Sequence, residues 1–282
     1  MGTAYLNGQY LPLEEARISP LDRGFLYGDG VYEVVHAYRG FPFRLEAHVS
    51  RLARSLGELR IEADPGVLRA IVPELLRRDS LGAGESLIYL QVTRGAAPKR
   101  QHAFPPPGTA PTVFAFAWAF TPLPEWYNPG VRLVTLPDDR WARCDIKTTA
   151  LIANVMGHQR ANEAGGHEGI FIRDGAVTEG TLSNVWAVFG GEVRTAPLSN
   201  LILPGVKRAV VLECCRNAGI PVREEPILAH ELPAAEEVFV TSTVHDVAPA
   251  SQVDGRKMPA GHPVTDRIRA LFRQAVTDEA RD

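Results

Sequence analysis

The lysines are the first residues to consider for covalent chemistry, because a neutral amine can attack a carbonyl group and form a Schiff base. The thirty basic side chains include only four of them, namely Lys99, Lys147, Lys207 and Lys257. Lys147 lies between a predicted extended segment and a predicted apolar helix, where burying an ammonium ion costs free energy and favours the neutral amine. Lys147 is therefore the candidate Schiff-base lysine. The alternative is a structural lysine whose charged end reaches solvent from a partly buried position.

A carboxylate with a possible electronic role follows in the segment Val177–Asn184. Glu179 stands there between a predicted hairpin strand and Gly180. A carboxylate held against a pyridine nitrogen keeps that nitrogen protonated, which is what pyridoxal phosphate requires of its protein. Taken alone, a Thr-Glu-Gly sequence is more often a plain strand end.

Three further segments could bind a phosphate group. A helix predicted to begin after Gly205, at Val206 and Lys207, exposes its first N–H groups, and glycine allows the backbone a close approach. The segment Thr241-Ser242-Thr243 follows an apolar strand and offers hydroxyl and backbone donors. Arg51 could supply the countercharge. Each feature is common in proteins, so only their combination indicates a phosphate site.

A pair of basic side chains could bind a carboxylate. Arg100 and His102 are two residues apart, so an extended loop would project them to the same side. The alternative is a solvated basic loop that also contains Lys99.

Composition excludes several classes of function. The net charge is −3, and no run of basic residues could line a nucleic acid. The longest apolar run, Val113–Phe120, is too short for a membrane helix, and the N-terminus lacks a signal-peptide pattern. Three cysteines without zinc-ligand spacing predict neither a disulfide framework nor a metal site. We expect a cytoplasmic protein, and the chain contains no P-loop, zincin or esterase motif.

The elements that must position these residues are mixed strands and helices, so we predict an α/β (α+β) fold. A proline-rich stretch divides the chain into an N-terminal domain over 1–121, a linker over 122–130 and a C-terminal domain over 131–282. Turn dipeptides such as Asn7-Gly8 and Arg39-Gly40 predict antiparallel hairpins. Apolar periodicity predicts helices over 45–56, 65–77, 148–163, 206–218 and 264–276.

Taken in order, these segments resemble the class IV aminotransferases, a pyridoxal phosphate-dependent family that includes D-amino acid transaminases, branched-chain aminotransferases and aminodeoxychorismate lyases. The resemblance covers nearly the whole chain and is greatest to the D-amino acid transaminases. It rests on five motifs: Gly28-Asp29-Gly30-Val31-Tyr32-Glu33, His48-x-x-Arg51-Leu52, Gln91-Val92-Thr93-Arg94-Gly95, Arg100-x-His102 and Cys144-Asp145-Ile146-Lys147.

The resemblance implies a two-domain fold with the cofactor between the domains and a role for each candidate residue. Lys147 becomes the Schiff-base lysine and Glu179 the partner of the pyridine nitrogen. The implied phosphate site comprises Arg51, Gly205, Val206, Lys207, Ser242 and Thr243, and the implied trap for the substrate carboxylate comprises Tyr32, Arg100 and His102. In the family the Arg–His loop reaches the neighbouring subunit, which implies a homodimer. The expected reaction is ping-pong transamination between a D-amino acid such as D-alanine and a 2-oxo acid such as 2-oxoglutarate.

Three departures from the family pattern bear on cofactor and substrate binding. Lys207 stands where relatives commonly carry threonine and could bring a cation to the phosphate, while Leu182 and Val244 replace small polar or hydroxyl residues. The alternatives are a branched-chain L-amino acid transaminase, an (R)-amine transaminase, an aminodeoxychorismate lyase and a noncatalytic binding protein. The usual branched-chain Glu-Gly-Ile-Arg stretch is replaced here by Glu33–His36, and an amine transaminase needs no carboxylate trap.

Overall fold

The computed structural model describes residues 2–281, and they form two compact units. The first unit contains the residues up to Thr121 together with Ile146–Leu151, and the second contains Pro122–Asp145 together with the residues from Ile152 onward. Both units combine strands and helices, as the predicted mixed α/β class requires. No helix within residues 2–281 has the length and apolar character needed to cross a membrane.

The first unit is an antiparallel sheet packed against two helices, with a third, short helix before β3. Its six strands have the order β2-β1-β6-β5-β3-β4. The strands are β1 (Thr3–Leu6), β2 (Gln9–Pro12), β3 (Gly30–Tyr38), β4 (Phe41–Pro42), β5 (Glu85–Thr93) and β6 (Thr112–Phe120), and the helices are α1 (Arg23–Tyr27), α2 (Leu45–Leu59) and α3 (Val67–Arg78).

The hairpins of this unit form where the turn dipeptides predict them. Asn7 and Arg39 adopt positive φ angles of 48° and 51°, the left-handed conformation that tight hairpin turns require. On α2, the side chains of Val49, Leu52 and Leu56 are buried against the sheet, as their spacing predicts. These contacts fix the position of α2 beside β3. They therefore determine where the side chains between α2 and β3 lie.

The second unit contains a nine-stranded mixed sheet and three helices. Eight strands follow the order β12-β11-β10-β13-β14-β7-β8-β9, and β15 pairs with β14. The strands are β7 (Val131–Pro137), β8 (Glu168–Arg173), β9 (Ala176–Gly180), β10 (Asn184–Phe189), β11 (Glu192–Thr195), β12 (Val222–Glu224), β13 (Glu237–Ser242), β14 (Asp246–Val253) and β15 (Arg256–Lys257), and the helices are α4 (Ile152–Glu163), α5 (Val206–Asn217) and α6 (Pro263–Glu279).

The segment around Lys147 departs from the predicted secondary structure. The helix predicted from Thr148 begins only at Ile152, and Thr148 instead forms a β-bridge with Val31. The Thr148 hydroxyl donates a hydrogen bond to the carbonyl of Gly30 at 3.0 Å, which ties the segment to β3. Threonine favours extended backbone, and its side-chain hydrogen bonds compete with helix formation. Lys147 is thus in an extended segment and not at a helix start.

A glycine in the motif before β3 allows this close packing. Gly28 ends α1 in the left-handed conformation, with φ of +66°. A Cβ atom at this position would lie only 3.1 Å from the Cα and Cβ atoms of Ala150. Gly28 therefore marks a close approach of two backbone segments.

Candidate active site

Lys147 is fixed through its backbone, so its side chain is left for chemistry. Its carbonyl accepts a hydrogen bond from the Tyr32 N–H at 3.0 Å, and its own N–H donates to Ser55 Oγ at 3.3 Å. The half-buried side chain places Nζ 4.2 Å from the centroid of the Tyr32 ring. The structure therefore brings together two of the residues that the sequence predicts for the site, Lys147 and Tyr32.

A buried charged cluster lies on the neighbouring faces of β3 and α2. The Arg51 guanidinium donates to both oxygens of Glu33, each at 2.8 Å, and His48 Nδ1 lies 2.8 Å from Glu33 Oε2. Burial alone would raise the pKa of Glu33, but Arg51 and His48 lower this pKa far below its ordinary value. Glu33 is therefore ionised and holds Arg51, the predicted phosphate ligand, in a defined orientation.

The predicted carboxylate-binding pair lies on the long loop between β5 and β6. Arg100 and His102 are both exposed and both flank the ring of Tyr27, with the Arg100 guanidinium 5.2 Å and the His102 ring 5.7 Å from its centroid. The Tyr32 ring stacks instead on Tyr89. The structure thus places Arg100 beside His102, as their spacing predicts, and gives Tyr32 different neighbours.

Glu179, the penultimate residue of β9, is a buried carboxylate with an arginine partner. Arg140 Nη1 donates to Glu179 Oε1 at 2.5 Å, and the Leu203 N–H donates to Oε2 at 2.8 Å. Asn184 adds a longer contact of 3.4 Å to Oε2. Arg140 is itself held by both oxygens of Asp138, each at 2.9 Å. This ion-pair network was missed in the sequence, although the Asp138-Asp139-Arg140 run after β7 marks one end of it.

The electrostatics of the pair determine the charge on Glu179. Burial raises the pKa of Glu179, while the guanidinium of Arg140 acts in the opposite direction. Burial alone would lower the pKa of Arg140, but Asp138 and Glu179 raise this pKa, so the guanidinium stays charged. A carboxylate beside a permanent cation suits a role that requires negative charge in a buried position.

The start of α5 has the shape expected of an anion-binding site. Gly205 is the N-cap residue, and a Cβ atom there would collide with Oδ1 of Asn184. The side-chain amide of Asn184 donates to the Leu203 carbonyl at 3.0 Å and so holds the chain just before the helix. The backbone N–H groups of the first helical turn, from Val206 onward, have no acceptor within the helix.

The second segment predicted to bind phosphate, at the end of β13, is connected to α5 by Lys207. Ser242 ends the strand, and its hydroxyl oxygen accepts hydrogen bonds from the N–H groups of Val244 and His245 at 3.2 and 3.0 Å. The Lys207 ammonium pairs with the carboxylate of Asp246 and donates to the carbonyl of Thr243 at 3.1 Å. Lys207 therefore holds the Ser242–Asp246 turn, and the predicted cation has a carboxylate partner.

Glu168 is a further buried carboxylate that sequence reasoning missed. It lies on β8 with no exposed surface, and its Oε1 accepts from Ser183 Oγ at 2.7 Å and from the Leu182 N–H at 3.0 Å. Its Oε2 is 3.5 Å from Nδ1 of the buried His245. Glu168 thereby connects the turn after Glu179 to the residue that follows the Ser242–Val244 turn.

The buried carboxyl group of Glu168 should make the stability of the fold depend on pH. Burial raises the pKa of Glu168 from 4.5 to about 7. The folded state therefore binds this proton more tightly than the unfolded state, and stability is lost as the pH rises from about 4.5 through 7. We expect the difference in unfolding free energy between the wild type and Glu168→Gln to fall by about 3 kcal/mol over this range. Urea unfolding of both proteins at matched pH measures it, and a pH-independent difference would contradict the assignment.

Comparison with known proteins identifies the family. Residues 30–253 match the profile of the family described as amino-transferase class IV. The chain belongs to the class IV aminotransferases. It is 38% identical over 277 residues to a D-alanine aminotransferase of Bacillus licheniformis, covering 97% of this chain and 96% of the relative. A D-alanine aminotransferase of Staphylococcus haemolyticus is 36% identical over 280 residues, with 98% of each chain covered.

Solved structures of other aminotransferases have the same fold. The branched-chain aminotransferase of the archaeon Thermoproteus uzoniensis, crystallised with norvaline, superposes with a TM-score of 0.87 at 26% identity, over 99% of this chain and 96% of the other. A fold IV transaminase of Curtobacterium pusillum gives 0.83 at 28% identity, over 94% and 93%. The predicted fold class is confirmed, and this chain is an aminotransferase of fold type IV.

Enzymes of this class depend on pyridoxal phosphate, so the predicted cofactor is confirmed at the level of the family. The residues of this aminotransferase fit that group. The second unit offers a buried carboxylate at Glu179, paired with Arg140, for a protonated ring nitrogen, and an open helix start at Gly205 for a phosphate. The first unit offers the amine of Lys147, half-buried against an aromatic ring.

Proposed function

We propose that this aminotransferase transfers the amino group of a D-amino acid such as D-alanine to a 2-oxo acid such as 2-oxoglutarate. The observation that carries the proposal is the close similarity, over nearly the full length, to D-alanine aminotransferases. The placement of Arg100 beside His102 on one exposed loop supports it, because both amino acid and 2-oxo acid substrates present an α-carboxylate.

Each candidate residue then has a role that its surroundings support. Lys147 attaches the cofactor, and its Nζ takes the proton from the substrate Cα and returns protons later in the cycle. Bound pyridoxal phosphate supplies an electron-withdrawing ring that stabilises negative charge developing at Cα. Glu179, paired with Arg140, would hold the proton on the ring nitrogen of the bound cofactor.

The phosphate of the cofactor is assigned to residues on three elements. Gly205 and Val206 contribute backbone N–H groups at the start of α5, and Ser242 and Thr243 contribute donors at the end of β13. Arg51 contributes positive charge from α2, in the orientation that Glu33 fixes. In this proposal Lys207 contributes to the phosphate site by holding the Ser242–Asp246 turn.

We also propose that the active form is a homodimer. The support is the family resemblance, in which the loop carrying Arg100 and His102 serves the neighbouring subunit. Large apolar side chains on the surface of the chain are consistent with a partner, with exposed fractions of 70% for Phe25 and 73% for Ile152. Light scattering in solution is expected to give twice the mass of one chain. The cytoplasmic location expected from the sequence stays a prediction.

A substrate assay separates this function from its alternatives. We expect the purified enzyme with pyridoxal phosphate to form pyruvate from D-alanine and 2-oxoglutarate, and to form little from L-alanine. Omitting 2-oxoglutarate is one control, because a transaminase then stops after the first half-reaction. Aminodeoxychorismate without an acceptor is the other, because a lyase releases pyruvate from it. Faster transfer from L-leucine than from D-alanine would assign the enzyme to the branched-chain group.

A further inference from the structure

A buried arginine holds the loop that carries Arg100 and His102. Arg23 lies at the start of α1 and is only 4% exposed. Its Nη1 donates to the carbonyl of Gln101 at 2.7 Å and to that of Ala103 at 3.2 Å, and its Nη2 donates to the carbonyl of His102 at 3.3 Å. One guanidinium therefore binds three consecutive carbonyl groups of an otherwise irregular loop.

Arg23 is itself fixed by a chain of ion pairs. Its Nε donates to Asp29 Oδ2 at 2.7 Å, and Arg94 binds both oxygens of Asp29 at 2.8 and 2.9 Å. Arg94 also donates to the carbonyls of Leu59 and Arg60 at the end of α2, at 2.7 and 3.0 Å. Although burial alone would raise it, the two arginines lower the pKa of Asp29, so the bridging carboxylate stays ionised. This network connects the loop to α2.

Helix α1, which carries Arg23, also contacts the side chains of the loop, through Tyr27. The ring of Tyr27, on α1, has the Arg23 guanidinium 4.8 Å from its centroid, and Arg100 and His102 approach the same ring. Arg23 thus acts on the backbone of the loop, and Tyr27 acts on the side chains. Neither Arg23 nor Tyr27 is among the residues that the family resemblance assigns to the site.

We propose that Arg23, oriented by Asp29 and Arg94, is a positioning residue that preorganises the loop for binding the substrate α-carboxylate. The proposal rests on the proposed function of Arg100 and His102. A long exposed loop that became ordered only on binding would lose affinity through its conformational entropy. Arg23 removes this cost beforehand by satisfying carbonyls that would otherwise bind water.

Arg23→Lys is the variant that tests this role, because lysine keeps the charge beside Asp29 but cannot bind three carbonyls with one planar group. We expect the KM values for D-alanine and for 2-oxoglutarate both to rise about tenfold, since both substrates carry the α-carboxylate. We expect kcat to stay within about twofold, and the visible absorption of the bound cofactor to stay unchanged. Arg69→Gln, at an exposed arginine of the same unit, is the matched control and should alter neither constant.

A double-mutant cycle with Arg100→Ala distinguishes positioning from a general structural effect. If Arg23 acts through Arg100 and His102, Arg23→Lys adds little to the rise in KM that Arg100→Ala already causes. Asp29→Asn provides a second variant that leaves Arg23 in place, and it should raise both KM values by a smaller factor. The D-alanine assay of the wild type is the internal reference for all variants.

The outcomes are separable. Unchanged KM values in Arg23→Lys and Asp29→Asn, a loss confined to kcat, or full additivity with Arg100→Ala would each overturn the positioning role. Should Arg23→Lys fail to fold, Asp29→Asn decides by the same two constants. A wild-type enzyme that does not use D-alanine would instead refute the proposed function on which the role depends.

Discussion

Replacing Lys147 by alanine is expected to lower transaminase turnover by about a thousandfold or more, because one side chain serves both to attach the cofactor and to move the Cα proton. The structure indicates that the fold will tolerate the change. Both hydrogen bonds that fix residue 147 belong to its backbone, namely those to Tyr32 and Ser55. The side chain is only half-buried, so its removal leaves no large cavity.

Steady-state assays with D-alanine and 2-oxoglutarate, together with circular dichroism of the same samples, measure this effect. Lys257→Ala is the control, since Lys257 is an exposed lysine on β15 and should retain wild-type activity. Folded Lys147→Ala protein that keeps more than about a tenth of the wild-type turnover would show that another residue supplies the base.

The second large effect is expected for Glu179→Gln, which should lower kcat about a hundredfold while the cofactor stays bound. Glutamine retains an oxygen that can accept from the Leu203 N–H, but it removes the negative charge that a protonated pyridine nitrogen needs. Arg140 keeps its two hydrogen bonds to Asp138, so the variant leaves no buried guanidinium without a carboxylate.

Comparing kcat with cofactor content separates this electronic role from a structural one. We expect the cofactor absorbance per chain to stay near that of the wild type in Glu179→Gln. Asp139→Asn is the matched control, because Asp139 is an exposed carboxylate next to Arg140 and its loss should change kcat less than about twofold. A Glu179→Gln enzyme with normal kcat would remove Glu179 from the proposed mechanism.

The parts of the fold that sequence predicts well are those determined by local chemistry. Asn7-Gly8 and Arg39-Gly40 form turns because these dipeptides accept positive φ angles, and α2 forms where apolar residues repeat at helical spacing. The start of α4 was predicted wrongly, because hydrogen bonds from Thr148 to β3 outweigh the apolar pattern that follows it. A prediction from a short stretch of sequence cannot include such tertiary contacts.

The partners within the charged networks of the candidate site could not be predicted from local sequence either. The motifs pointed to Lys147 and Glu179 as isolated side chains, whereas the partner of Glu179 is Arg140, far away in the sequence. The departure from the family pattern likewise suggested that Lys207 brings a cation to the phosphate, but the folded chain pairs it with Asp246. A buried charge needs a partner, and only the packing of the elements decides which one it finds.

The central claim, transamination of D-amino acids at Lys147, is tested most directly by the visible absorption of the purified enzyme. The spectrum is recorded before and after adding D-alanine or L-leucine, in separate samples without a 2-oxo acid. D-alanine is expected to remove the absorption band of the lysine-bound cofactor, and L-leucine is expected to leave it intact. Loss of the band with L-leucine but not with D-alanine, or no cofactor band after reconstitution with pyridoxal phosphate, would contradict the central claim.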